Sequence, residues 1–179
     1  PEHCIVVFDE AYAEFVQSKD YPDTIKYVKE GRPVIIVRTL SKVFGVAGLR
    51  IGYAVGPHYL IDIMQRVVEY YTVNRLAQVA AAAAMEDSEF LELTLKTTLE
   101  VKEYLEKEFS ALGIKCLPSH TNFLFVDFKR DAKEIYEKLL AKGFLIRVGG
   151  GWNLPTCARI TVGTMEQNTG LVKALKEIL

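Results

Sequence analysis

Lys42 lies in the segment VRTLSKVFGVAGLRIGY, residues 37–53, where the next dozen positions hold one other charge, Arg50, and three glycines. An ammonium so placed is a candidate for chemistry rather than for solubility alone. An amine partly withdrawn from water favours its neutral form, and a neutral amine can condense with an aldehyde. Four other kinds of reactive group stand close to it in sequence. Ser41 immediately precedes Lys42, Arg50 follows eight residues later, and the earlier motif DEAY contributes the carboxylate of Asp9 and the phenol of Tyr12.

One cofactor asks for all five groups. Pyridoxal 5'-phosphate carries an aldehyde for a lysine, and its ring nitrogen needs an acid partner before the ring can act as an electron sink. Asp9 suits that nitrogen, and Tyr12 suits the ring oxygen beside the aldehyde. Ser41 and Arg50 suit the phosphate, Arg50 through its charged, forked donors.

These residues must be delivered by the elements around them. CIVVFDEAY is an apolar run of strand length that ends in acidic and aromatic residues, as a buried parallel strand does at a functional carboxyl end. PVIIVRTLSK repeats the pattern, with Ser41 and Lys42 closing it. LRIGYAVG is a third, shorter strand, and residues 21–30 form a weakly helical crossover. In open α/β sheets ligands sit at the carboxyl ends of strands, which is where all the candidates fall.

Residues 58–87 read as one long helix or two end to end, and residues 88–112 as a second helix with Gly113 as its C-cap. KCLPSHTNFLFVDF is a strand region, residues 131–142 are a helix, FLIRVGG and ARITVGT are short strands, and residues 165–179 a terminal helix. The expected organisation is a mainly parallel α/β part, residues 1–75, and a connecting helix with a small α+β part, residues 76–179.

The combined pattern DEAY…TLSKVFGVAGLRIGY resembles the fold-type I pyridoxal-phosphate aminotransferases, and most closely the histidinol-phosphate aminotransferase family. The resemblance implies that Lys42 is the Schiff-base lysine, Asp9 the ring-nitrogen carboxylate, Tyr12 the partner of the ring hydroxyl, and Ser41 and Arg50 the phosphate ligands. NRLAQVAAAAAMED, SHTNFLFVDF, FLIRVGG and ARITVGT resemble that family's connecting helix and small domain, in the same order. Arg147 and Arg159 then fall on the family's substrate anchors. Both stand in otherwise apolar strands, where arginine usually has an anionic partner. Asn122 either faces the substrate or satisfies backbone groups at a strand end.

By resemblance the reaction is a transamination between a small-molecule amino donor and a 2-oxo acid, L-histidinol phosphate with 2-oxoglutarate, in a cytoplasmic homodimer. A same-fold aromatic aminotransferase or threonine-phosphate decarboxylase is the alternative, because EYYTVNRLAQ departs from the Pro-Tyr-Asn junction of many family members. A non-catalytic binding module of the same fold is a third reading.

Composition agrees with a globular enzyme. Among 179 residues, half are apolar and a quarter charged, and 22 basic against 23 acidic residues give a net charge of −1, with no basic surplus to attract nucleic acid or a membrane surface. Cys4, Cys116 and Cys157 form no CxxC pair, and His3, His58 and His120 have no ligand spacing. The glycines before Trp152 suggest a mobile loop, with the indole covering an apolar edge. Tyr70, Tyr71 and Asn74 lie near the family's cofactor-side junction, though helix packing would account for the two aromatic rings equally well. The resemblance covers the C-terminal half of the family only, so a Gly/Ser phosphate loop, a ring-stacking aromatic, an Asn near the ring oxygen and a cross-dimer Tyr have no counterpart here. The expectation is a fragment, inactive or nearly so alone and prone to associate through uncovered strand edges.

Overall fold

The computed structural model describes residues 3–179. Its chain forms two compact units, Pro1–Glu92 and Leu93–Leu179.

In the first unit, β1 (Val6–Asp9) leads through a short 3₁₀ turn and helix α1 (Ile25–Lys29) to β2 (Val34–Thr39) and then β3 (Gly52–Val55). The order is β1-β2-β3. β1 and β2 are parallel, with Val6 opposite Val34 and Asp9 opposite Val37. The β-branched run at the start of β2 is the reason for its central place: Val34, Ile35 and Ile36 are all buried. Phe8 stacks on Tyr27 of the crossover, the ring centroids 6.4 Å apart.

The third strand departs from a parallel arrangement. β3 runs antiparallel to β2, with Arg38 opposite Tyr53 and Thr39 opposite Gly52. The connection between them holds a short 3₁₀ turn and no crossover helix, so the chain can only turn back on itself.

The expected helix over 58–87 is two helices, α2 (His58–Gln65) and α3 (Arg75–Glu86), parted by a non-helical stretch. Tyr71 takes a left-handed backbone with φ +61°, and Asn74 begins the second helix by accepting a hydrogen bond from the Ala77 N–H at 2.8 Å. Helix packing does not account for Tyr70 and Tyr71, which are 93% and 97% exposed.

Helix α4 (Ser88–Ala111) belongs to both units. Where the sequence suggests a division at 75/76, the compact units part at Glu92. Phe90, in the first turn of α4, packs on the turn at Gly45: a Cβ there would stand 3.0 Å from the Phe90 ring.

The second unit is an antiparallel sheet of order β4-β5-β7-β6, built from β4 (Lys115–Cys116), β5 (Phe123–Asp127), β6 (Arg147–Val148) and β7 (Cys157–Thr161). Helices α5 (Ala132–Ala141) and α6 (Met165–Ile178) complete it. Leu105 and Phe109 of α4, Leu124, Ile160, Leu139 and Leu175 are wholly or almost wholly buried in one core. Burial of each such side chain is worth about 1.5–3 kcal/mol. Thr164 and Gln167 form a reciprocal capping box that starts α6. The glycine run expected as a mobile loop is a short 3₁₀ turn, Gly149–Trp152, and Gly149 is required there because a Cβ would meet the Leu154 carbonyl oxygen at 2.5 Å.

The three thiols differ in ways that a labelling experiment reads. Cys4 is exposed and Cys157 buried, while burial, reinforced by Glu106, pushes the Cys116 thiol up to about 11. The thiolate is the reactive species. A disulfide reagent at pH 7.5 is therefore expected to modify Cys4 of this chain rapidly and the other two only on unfolding, as peptide mass mapping would report. Rapid labelling of Cys116 in the folded chain would contradict the assignment.

Candidate functional site

The first cluster grows from the carboxyl ends of β1 and β2. Asp9 is the last residue of β1, and its Oδ1 accepts the Ala11 N–H at 3.1 Å, a turn that sends the chain towards Tyr12. Beyond β2, Leu40 and Val43 are buried at 2% and 0% exposure and pin the backbone on either side of Ser41 and Lys42, which stay half-buried. Thr39 Oγ1 accepts the Ser41 N–H at 3.1 Å and tightens the bend. The Lys42 ammonium lies 5.4 Å from the centre of the Tyr12 ring, so amine and phenol share one cluster.

Arg50 comes back to the same place. Its Nη1 donates to Ser41 Oγ at 3.3 Å and to the Ala47 carbonyl at 2.9 Å. This return needs unusual backbone. Arg50 has φ +53°, which costs a non-glycine residue on the order of 1–2 kcal/mol. Gly52, at the start of β3, approaches β2 so closely that a Cβ would lie 2.6 Å from the Arg38 carbonyl oxygen. A hydroxyl and an exposed guanidinium held together make a donor pair for an anion. A primary amine, a phenol and a carboxylate at the neighbouring strand ends complete a set that can bind an aldehyde-bearing anionic ring.

Sequence reasoning passed over the second acid of DEAY. Glu10 follows Asp9 and points to the opposite face, as strand alternation requires. Its side chain is 2% exposed and is filled with partners. Arg38 Nε and Nη2 donate to Oε2 at 3.0 and 2.7 Å, and Thr24 Oγ1 donates to Oε1 at 2.5 Å. Tyr21 and Tyr53 join the network: burial, helped by the Glu10 carboxylate, raises the Tyr21 phenol, and bonds to Glu10 and Tyr53 raise the Arg38 guanidinium although burial alone would lower it. The signal was available, since Arg38 interrupts an apolar strand and such an arginine wants a carboxylate.

The second cluster belongs to the other unit. Arg147 on β6 and Arg159 on β7 are directly opposite, and Arg159 is opposite Phe125 on its other side, so all three share one face of the sheet. The Arg159 guanidinium lies 5.1 Å from the centre of the Phe123 ring and that of Arg147 4.9 Å from Trp152. Trp152 in turn packs against Phe125, with ring centres 6.0 Å apart. Arg159 Nε is buried and finds no hydrogen-bond partner among the described residues. Two like charges side by side, one with an unspent buried donor, invite an anion. Asn122 immediately precedes β5, and its main-chain carbonyl accepts the Val162 N–H at 2.9 Å.

Among the described residues no group of three or more His, Cys, Asp and Glu side chains could hold a metal ion, and no helix is long and apolar enough to cross a membrane.

Fold and clusters together define an α/β protein with an amine, an acid and a hydrogen-bonded hydroxyl–guanidinium pair at the strand ends, followed by an α+β unit with paired arginines. Residues 1–175 match the family described as aminotransferase class I and II, and the chain belongs to that family. It is 44% identical to a histidinol-phosphate aminotransferase of Moorella thermoacetica over 180 residues, all of this chain and 47% of that protein. The crystal structure of the histidinol-phosphate aminotransferase from Sinorhizobium meliloti in complex with pyridoxal-5'-phosphate is 30% identical, with TM-score 0.90 over 99% of this chain and 49% of that one. L-threonine-O-3-phosphate decarboxylase from Porphyromonas gingivalis is 25% identical, with TM-score 0.81 over 97% of this chain and 55% of that one. The chain spans about half the length of the curated relatives it matches.

Proposed function

We propose that the protein is a pyridoxal-phosphate-dependent aminotransferase that moves the amino group of L-histidinol phosphate to 2-oxoglutarate. The observation that carries this reading is the cluster of Lys42, Tyr12, Ser41 and Arg50 at the strand ends next to Asp9. The names of the relatives support the choice of substrate.

The residues present fit the cofactor, because each of its polar groups meets a side chain of matching chemistry. Lys42 Nζ suits the aldehyde, Tyr12 the ring hydroxyl, Asp9 the ring nitrogen, and the bonded Ser41–Arg50 pair the phosphate. Bound there, pyridoxal 5'-phosphate supplies an electron sink for the carbon that bears the amino group. Lys42 Nζ would tether the cofactor through its aldehyde and would serve as the base that takes the proton from that carbon and returns it. The Asp9 carboxylate keeps the ring nitrogen protonated. Arg159, helped by Arg147, grips the substrate's carboxylate or phosphate, and Asn122 lines the substrate side. A homodimer in the cytoplasm is the expected setting.

Borohydride reduction of the cofactor-loaded natural protein, followed by peptide mapping, is expected to find the label on Lys42. Label on another lysine, or on none, would sink the assignment. A second reading has its own support in the likeness to the threonine-phosphate decarboxylase and in the EYYTVNRLAQ junction. Steady-state assays with histidinol phosphate, phenylalanine and threonine phosphate rank the substrates, and the highest kcat/KM is expected for the first.

A further inference from the structure

We infer that Glu10 is a positioning residue that clamps the carboxyl ends of β1 and β2 together, so that Asp9 and the Ser41–Lys42 bend face one ligand in fixed geometry. The inference rests on the cofactor site proposed above. Its physical basis is a set of contacts on the face opposite Asp9. Glu10 immediately follows Asp9, and Arg38 is three residues before Ser41, so the ion pair joins the two strands between the Asp9 level and the Ser41–Lys42 bend. The clamp reaches further than the pair. The Glu10 N–H donates to the Val37 carbonyl at 2.9 Å, Tyr53 ties Arg38 to β3, and Thr24 spends its hydroxyl on Glu10 although it stands at the N-cap of α1, where it would ordinarily cap the helix. With the carboxylate buried and every contact directional, the strand ends have little freedom to slide. Supporting groups of this kind are what hold reactive side chains within the tolerance that binding and catalysis need.

The test compares Glu10→Ala and Glu10→Gln with Leu60→Ala, in the natural full-length protein. Leu60 is a buried side chain of α2 and no party to the Glu10 ion pair or hydrogen bonds, so its truncation is the control for loss of stability. Amide hydrogen exchange at Ala11 and Ser41, whose N–H groups bond Asp9 Oδ1 and Thr39 Oγ1, is expected to quicken about ten-fold or more in Glu10→Ala and to stay near the wild-type rate in Leu60→Ala. The dissociation constant for pyridoxal 5'-phosphate, read by absorbance, is expected to rise about ten-fold in Glu10→Ala and to recover in large part in Glu10→Gln. Exchange at the two amides unchanged in Glu10→Ala, or equally fast in Leu60→Ala, overturns the clamp. If Glu10→Ala does not fold, Glu10→Gln and Arg38→Lys carry the same comparison. Failure of the wild-type protein to take up the cofactor would overturn the functional reading instead, and the exchange rates would still decide whether the clamp exists.

Discussion

Lys42→Ala is expected to lower the transamination rate of the natural protein by about 10⁴-fold, the upper range for loss of a general base, while leaving the fold intact. Two features set these expectations apart. The amine is the one group of the strand-end cluster able both to tether an aldehyde and to carry a proton, so no neighbour can substitute for it. Its structural role is small: the ammonium lies over the Tyr12 ring at 5.4 Å, a contact worth about 0.5–1 kcal/mol at a half-buried site, and the anchoring of the bend falls to Leu40 and Val43. The thermal midpoint of the variant should therefore stay near that of the wild type, and small primary amines added to the assay should return part of the rate by supplying a base. Activity above a tenth of wild type would remove Lys42 from the chemistry.

The second large effect concerns Arg159, and its sign differs between stability and function. Replacing it by alanine is expected to reduce kcat/KM by about 10²–10³-fold, the usual consequence of truncating one side of a buried charge pair with a ligand. Without ligand, the same change removes a like-charge neighbour of Arg147 and a buried Nε that has no partner among the described residues. An unsatisfied buried donor costs about 1–3 kcal/mol, which offsets the loss of the contact with the Phe123 ring. Unfolding in denaturant should thus show Arg159→Ala as stable as the parent or more so. A variant that loses stability and keeps its kcat/KM would show that the arginine is structural.

The strands around the first cluster were legible because their information is local. A β-branched run that ends in reactive side chains reads as a buried strand opening at its carboxyl end; β2 is that, whereas β1 is a strand whose Val6 and Val7 stay exposed. Helices α4, α5 and α6 followed from apolar periodicity and, for α4, from the cap signal at Gly113. The break between α2 and α3 was harder to see, since no proline marks it and Tyr71 adopts a positive φ that its residue type does not advertise. The antiparallel turn of β3 depends on the shortness of a connection, and the packing of Phe90 on the turn at Gly45 joins residues distant in sequence. Glu10 was hidden by its neighbour. Asp9 offered so plain a chemical reading of DEAY that the second carboxylate drew no question, and the rule that an arginine in an apolar strand has an anionic partner, applied to Arg147 and Arg159 once the resemblance had pointed to them, was not carried over to Arg38.

The alternation of Asp9 and Glu10 has a bearing on how the chain finds its fold. The two acids differ by one methylene and lie on opposite faces, and the parallel pairing of β1 with β2 runs over only four residue pairs. A slip by one residue would turn Asp9 to the face of Arg38 and carry Glu10 to the opposite one, breaking the Glu10 bonds to Arg38 and Thr24. So short a hydrophobic ladder discriminates weakly between alignments by itself. The buried pair adds a penalty that only the correct alignment escapes, and thereby acts as proofreading during strand assembly.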